Sequence, residues 1–311
     1  MDPAFAGSHA AEHAGAAPVV PPPIGTLAVV GGTSLFHHVE GSGGPAVVFL
    51  PGAGGMGLDY LNLFHRVAAL STAVLYDRGG TGWSGEATLP RSAPDVAVEL
   101  QALLRTLDLA PPYLLVGHSL GGAFARHYAQ CFPRQVAGLL LLDPAHEALE
   151  AHYPEEVRAL FAQFADAPVP DLPPEVLDLW RAVFADKLQR WPEPLRGPLI
   201  ARHVAKWRAG FLEGQRTEAL VYDALRQDGP LPDVPLTVLT AMGIDRSPTS
   251  ALPEAVQHAV NAAKQAVNRL LAGSVPRGEE RALHDATHVW MHIEREDTVV
   301  EAIAEVLRRV R

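Results

Sequence analysis

"LLVGHSLGGAFARHYA", residues 114–129, decides how the rest of the chain is read. It starts as an apolar strand, turns through Gly117-His118-Ser119-Leu120-Gly121 and continues as an apolar helix. A serine on so tight a strand-to-helix turn sits in strained geometry, with its hydroxyl exposed at the C-terminal edge of a sheet. Glycine suits positions 117 and 121 because a side chain there would collide with the neighbouring strand and helix. The helix N-terminus points at the serine and favours negative charge beside it. G-x-S-x-G alone recurs by chance in 311 residues. The strand before it, the helix after it and the extra Gly122 make Ser119 a candidate nucleophile, with His118 beside it as a supporting residue.

Working outward, four β-like runs precede this stretch, at 26–30, 34–40, 46–50 and 72–77. Residues 94–109 carry helical periodicity, with charges opposite the leucines. The runs 112–117, 136–143 and 235–242 are short and fully apolar, the pattern of strands buried on both faces of a parallel sheet. The fold class expected is α/β, a mostly parallel doubly wound sheet. Residues 146–232 interrupt the alternation: they show no convincing strand but several helical patterns, at 174–191 and 197–214 among others, punctuated by prolines. They read as a helical lid inserted between the sixth and seventh strands. The core is then 24–145 with 233–311, and 1–23 is expected to be a disordered segment or a remnant of cloning. Trp180, Phe184 and Trp207 in the lid are candidates for the wall of an apolar substrate pocket, or else pack the lid's own core.

Composition narrows the function classes. A hydrophobic fraction of 48% with 19% charged residues describes a chain with a sizeable core. The net charge of −10 and a pI near 5.7 oppose nucleic acid as a partner, since phosphate binding requires a basic face. No apolar run approaches the ~20 residues of a membrane helix. The first 65 residues hold four acidic residues and no Lys or Arg, unlike a secretory or transit peptide, so a cytoplasmic location is expected. The single cysteine, Cys131, excludes an intramolecular disulfide framework and is expected to be a buried thiol. Oligomeric state has no signature here.

A serine nucleophile needs an oxyanion hole, a base and an acid. The glycine-rich turn Pro51-Gly52-Ala53-Gly54-Gly55 follows the third strand and lacks the phosphate-binding patterns G-x-G-x-x-G and G-K-[ST]. Its backbone, with Gly52 as support, offers the Ala53 N–H as one donor and Leu120 N–H as the other.

On these motifs the chain, from about residue 26 to its C-terminus, resembles the α/β-hydrolase superfamily in its lid-bearing serine hydrolase branch. "YDRGGTGWSG" (76–85) is similar to that branch's D-x-x-G-x-G-x-S loop, in which Asp77 and Arg78 would fix loops near the site. Where the family usually carries His-Gly, this chain has Pro51-Gly52. The resemblance implies a triad in the order nucleophile, acid, histidine. Asp245, in a G-x-D spacing past the seventh strand, is the expected acid, with Asp143 at the end of the sixth strand as the alternative. Thr287-His288-Val289-Trp290 resembles the family's small residue–His–aromatic signature and makes His288 the expected base. His284 and His292 flank it at intervals of four, which on a continuous helix would suit a metal. The family register instead breaks that stretch into loop and helix at His288, so no metal or other cofactor is expected. The resemblance implies a two-step acyl transfer on an ester-like bond of a small, largely apolar molecule. Lactonase, C–C hydrolase, aminopeptidase, perhydrolase and non-catalytic ligand-receptor functions share the same scaffold. A serine at the turn argues against epoxide hydrolases and haloalkane dehalogenases, which attack through a carboxylate.

Overall fold

A computed structural model describes residues 20–163, 167–250 and 252–310; the segment expected to be disordered, 1–23, lies outside them apart from its last four residues. The first four strands are β1 (Thr26–Val30), β2 (Thr33–Glu40), β3 (Val47–Leu50) and β4 (Ala73–Tyr76), with helix α1 (Leu61–Ala68) between the last two. Helix α2 (Ala93–Thr106) leads to β5 (Tyr113–His118), α3 (Leu120–Cys131) and β6 (Val136–Leu142). Helices α4 (Glu155–Ala162), α5 (Pro174–Lys187), α6 (Glu193–Ala205), α7 (Trp207–Gly214) and α8 (Asp223–Gln227) then separate β6 from β7 (Leu236–Ala241). Helix α9 (Glu254–Ala272), β8 (Gly278–Leu283), the short α10 (Met291–Glu294) and α11 (Glu296–Val310) complete the chain.

One sheet of eight strands results, in the order β1-β2-β4-β3-β5-β6-β7-β8. β2 pairs antiparallel with β1 and β4, and every pairing from β4 through β3 to β8 is parallel. The crossovers explain the apolar strands. Val47 and Phe49 of β3 face one core layer with α1 and α11, while Val48 and Leu50 face the other with α2 and α3. Strands covered on both faces have no polar side to show. The order places β5, which feeds Ser119, next to β3 and β6, so the loops leaving those three strands meet at one edge.

Between β6 and β7 the described residues hold helices and no strand, as expected. The pattern at 197–214 resolves into two helices, because the chain leaves helical geometry at Lys206 (φ −105°, ψ 15°). One expectation fails. Cys131 is exposed, because it is the last residue of α3 and lies past the stretch Leu120–Ala129 that the helix buries on all sides.

Candidate active site

Ser119 has φ 52° and ψ −122°, a left-handed conformation that costs a non-glycine residue of order 1–3 kcal/mol. Close packing enforces it. A Cβ on Gly117 would lie 2.6 Å from the Gly121 carbonyl oxygen, and one on Gly121 would lie 2.0 Å from that of Leu50. The Ser119 N–H donates to the Leu142 carbonyl at 3.0 Å, fastening the turn to the end of β6.

His288 lies in the loop between β8 and α10, and its Nε2 is 3.0 Å from Ser119 Oγ. Its Nδ1 is 2.5 Å from Asp143 Oδ2. Since Nδ1 must carry a proton to donate to that carboxylate, Nε2 is left to accept from the serine hydroxyl. The loop is held in place by Thr287, whose N–H and hydroxyl both donate to Glu294 Oε2, at 2.8 and 2.9 Å.

The partner of His288 is therefore Asp143, and the expectation of Asp245 is corrected. Asp245 instead accepts from the Ser247 N–H at 2.8 Å, and its own N–H donates to Gln257. The reason is local backbone geometry. Asp143, ahead of Pro144 at the end of β6, takes φ 44°, and its fully buried carboxylate meets both the His288 ring and the Lys264 ammonium. Lys264 Nζ, from α9, is 2.6 Å from Oδ2, and the Ala241 N–H donates to Oδ1 at 3.2 Å. Burial alone would raise this carboxyl's pKa, but the charge on Lys264 and the hydrogen bond from His288 hold it far below the usual carboxylate range.

Across Ser119 from Asp143 lies the glycine-rich turn. Among the described residues, neither the Ala53 nor the Leu120 N–H donates a hydrogen bond, and Leu120 opens α3, whose first amides have no intrahelical acceptor. Two cavities meet at Ser119, His288 and Val289. The first, of about 420 Å³, runs under α5 and α7 and is walled by Trp180, Phe184, Trp207 and Phe211. Trp180 stacks on Phe211 at 6.5 Å, and Trp207 meets the same ring edge-on at 5.7 Å. The second, of about 430 Å³, carries Tyr153, Tyr222, Asp245, Gln257 and Asn261.

The family model of the alpha/beta hydrolases matches residues 47–302. The chain belongs to that family. Over 112 residues it is 36% identical to the uncharacterized protein YqjL of Bacillus subtilis, a stretch covering 35% of this chain and 44% of that one. Over 118 residues it is 35% identical to the (lyso)-N-acylphosphatidylethanolamine lipase of Mus musculus, covering 37% and 34%. Each match thus spans less than half of the relative's length. Among solved structures, a thermophilic esterase from Thermogutta terrifontis superposes with a TM-score of 0.64 at 18% identity, over 92% of this chain and 98% of that one. At that identity the likeness concerns the fold.

The chain buries more histidine around this site than its sequence motifs announce. His118 Nε2 donates to the His288 carbonyl at 2.7 Å, which leaves Nδ1 to accept from the Tyr60 hydroxyl at 2.8 Å. Burial, helped by the neighbouring His288 and His292, pushes the His118 pKa down to about 3. His292 stacks on Tyr60 at 4.5 Å, and burial brings it down to about 4. His284 is exposed in a turn and His292 lies in α10, so the evenly spaced histidines share no helix. Sequence reading did not single out Lys264, Glu213 or the Asp59–His203 pair (2.7 Å). A charged residue within an otherwise apolar helical face was the available signal for Lys264 and Glu213.

Proposed function

We propose that the protein is a serine hydrolase that cleaves a carboxylic ester-like bond in a small, largely apolar substrate. The observation that carries this reading is the continuous line from Ser119 Oγ through the His288 ring to the Asp143 carboxylate, at 3.0 and 2.5 Å. His288 Nε2 takes the serine proton as Oγ attacks the carbonyl carbon. The resulting oxyanion is met by the Ala53 and Leu120 amides, and Asp143 stabilises the imidazolium. The C–O bond breaks, His288 returns the proton to the departing alcohol, and an acyl-serine remains. A water deprotonated by His288 then attacks the acyl carbon, releasing the acid and restoring Ser119.

Residues 146–232 form the lid in this reading and 24–145 with 233–311 the catalytic core. The aromatic cavity under α5 and α7 receives the apolar part of the substrate, and the cavity bearing Asp245, Gln257 and Asn261 receives the more polar part. No described helix is long and apolar enough to cross a membrane, and a small molecule met in the cytoplasm is the proposed substrate. Acyl p-nitrophenyl esters of rising chain length, run beside lactones, test the reaction class. Turnover of the esters with covalent labelling of Ser119 by a fluorophosphonate is expected, and Ser119→Ala should lower kcat by a factor on the order of 10⁶. An unlabelled Ser119 with no turnover of any ester would sink the proposal.

A further inference from the structure

Helix α7 reaches past the substrate cavity to the backbone of the glycine-rich turn. Arg78, fully buried, donates from Nη1 to the Pro51 carbonyl at 2.7 Å and from Nη2 to the Gly52 carbonyl at 2.8 Å. Glu213 of α7, also buried, holds that guanidinium through Nε at 2.8 Å and Nη2 at 3.0 Å. Its Oε2 also accepts the Gly54 N–H at 2.7 Å. One turn earlier on α7, Gly210 packs backbone to backbone against Gly54 (φ 68°), where a Cβ would lie 2.6 Å from Gly210 Cα.

A peptide unit is planar, so fixing its carbonyl fixes the opposite direction of its N–H. The Gly52 carbonyl and the Ala53 N–H belong to one such unit, and Arg78 holds that carbonyl. The Ala53 carbonyl and the Gly54 N–H belong to the next, and Glu213 holds that N–H. Both peptide planes flanking Ala53 are therefore tied to one ion pair, half of it supplied by the inserted segment, with the Gly55 N–H as a second donor to the Gly52 carbonyl at 3.2 Å. We propose that Glu213 is a positioning residue that aims the Ala53 N–H at the developing oxyanion, making α7 part of the oxyanion hole. The inference rests on the Ser119–His288–Asp143 reading with Ala53 as a donor. Because Trp207 and Phe211 of the same helix wall the cavity, what fills the cavity acts on the hole through α7.

The full-length protein with Glu213→Ala or Gly210→Ala, assayed on a short p-nitrophenyl ester, tests this. A thermal melt and the Ki of a trifluoromethyl ketone, whose tetrahedral adduct places an oxyanion in the hole, complete the measurement. Glu213→Ala should lower kcat about 100-fold with KM within about threefold, and weaken the ketone by a factor comparable to the loss in kcat. Gly210→Ala puts a methyl carbon 3.2 Å from Gly54 Cα, moving the turn without leaving a buried charge unpaired. It should lower kcat about tenfold with an unchanged melt, and it decides the matter if Glu213→Ala does not fold. A folded Glu213→Ala with kcat within twofold of the parent overturns the proposal, as does a Gly210→Ala protein with unchanged kcat and ketone affinity. If the parent itself neither turns over esters nor labels at Ser119, the hydrolase reading fails first.

Discussion

Asp143 and Asp245 lie at the same edge of the sheet, past adjacent strands, and only one of them meets His288. Sequence spacing favoured Asp245 because G-x-D after the seventh strand resembles the family pattern, whereas Asp143-Pro144 has the composition of a strand-ending turn. What the spacing could not convey is the left-handed backbone at Asp143, which turns its carboxylate toward the loop after β8, or the Lys264 ammonium waiting behind it. Ser119 and His288 each sit in a local motif that brought them forward as candidates; which carboxylate meets His288 left no local trace, because it depends on a contact across 145 residues. Asp143→Asn should therefore lower kcat by about 10⁴ with little change in KM, through loss of the charge and of the tautomer that lets Nε2 accept the serine proton. Asp245→Asn should leave kcat within about threefold and alter KM for substrates with polar leaving groups. Steady-state kinetics on matched esters check both; the reverse pattern would return the role to Asp245.

At the scale of elements, the β-like and apolar runs located the first seven strands to within a residue or two, whereas β8 (Gly278–Leu283, GEERAL) carries three charges and leaves no such run. Periodicity also found the inserted helices but not how they dock, since docking rests on single polar contacts. Trp191 Nε1 donates to the Leu58 carbonyl at 2.8 Å, and Arg202 Nε to that of Gly82 at 2.6 Å. Such contacts leave no periodic trace. Trp207, a candidate for the pocket wall from sequence, lines the cavity and meets the Phe211 ring one turn further along α7. Trp207→Ala should raise KM for medium-chain acyl esters about tenfold, while acetate esters change by less than threefold. Equal effects on both chain lengths would place the acyl chain elsewhere.

For the whole molecule, the buried histidines set a pH limit. In the unfolded chain His118 and His292 take up protons near pH 6.5, whereas the folded protein keeps them neutral down to about 3 and about 4. The unfolded state thus binds more protons below pH 6.5, and stability falls on acidification by about 1.4 kcal/mol per pH unit for each histidine. That loss should run from about pH 6.5 toward pH 4. Urea unfolding at several pH values between 6.5 and 5 checks it, and His292→Phe, which keeps a ring against Tyr60, should reduce the slope by about one proton. An unchanged slope would mean that His292 is not buried as the neutral form. Overall composition could not announce this, because burial of a particular histidine is a property of the packed fold.

The two cavities that meet at Ser119 give the proposed reaction separate exits. In that proposal the acyl chain would stay under α5 and α7 after the first step, and the departing alcohol would occupy the chamber beside Asp143 and Lys264. The incoming water needs His288, which borders both cavities; with the acyl chain filling one, the alcohol's chamber is the way left to it. A slow-leaving alcohol therefore competes with water for the acyl-serine, and the balance between hydrolysis and return to the starting ester, or transfer to a second alcohol, is set by how long that chamber stays occupied.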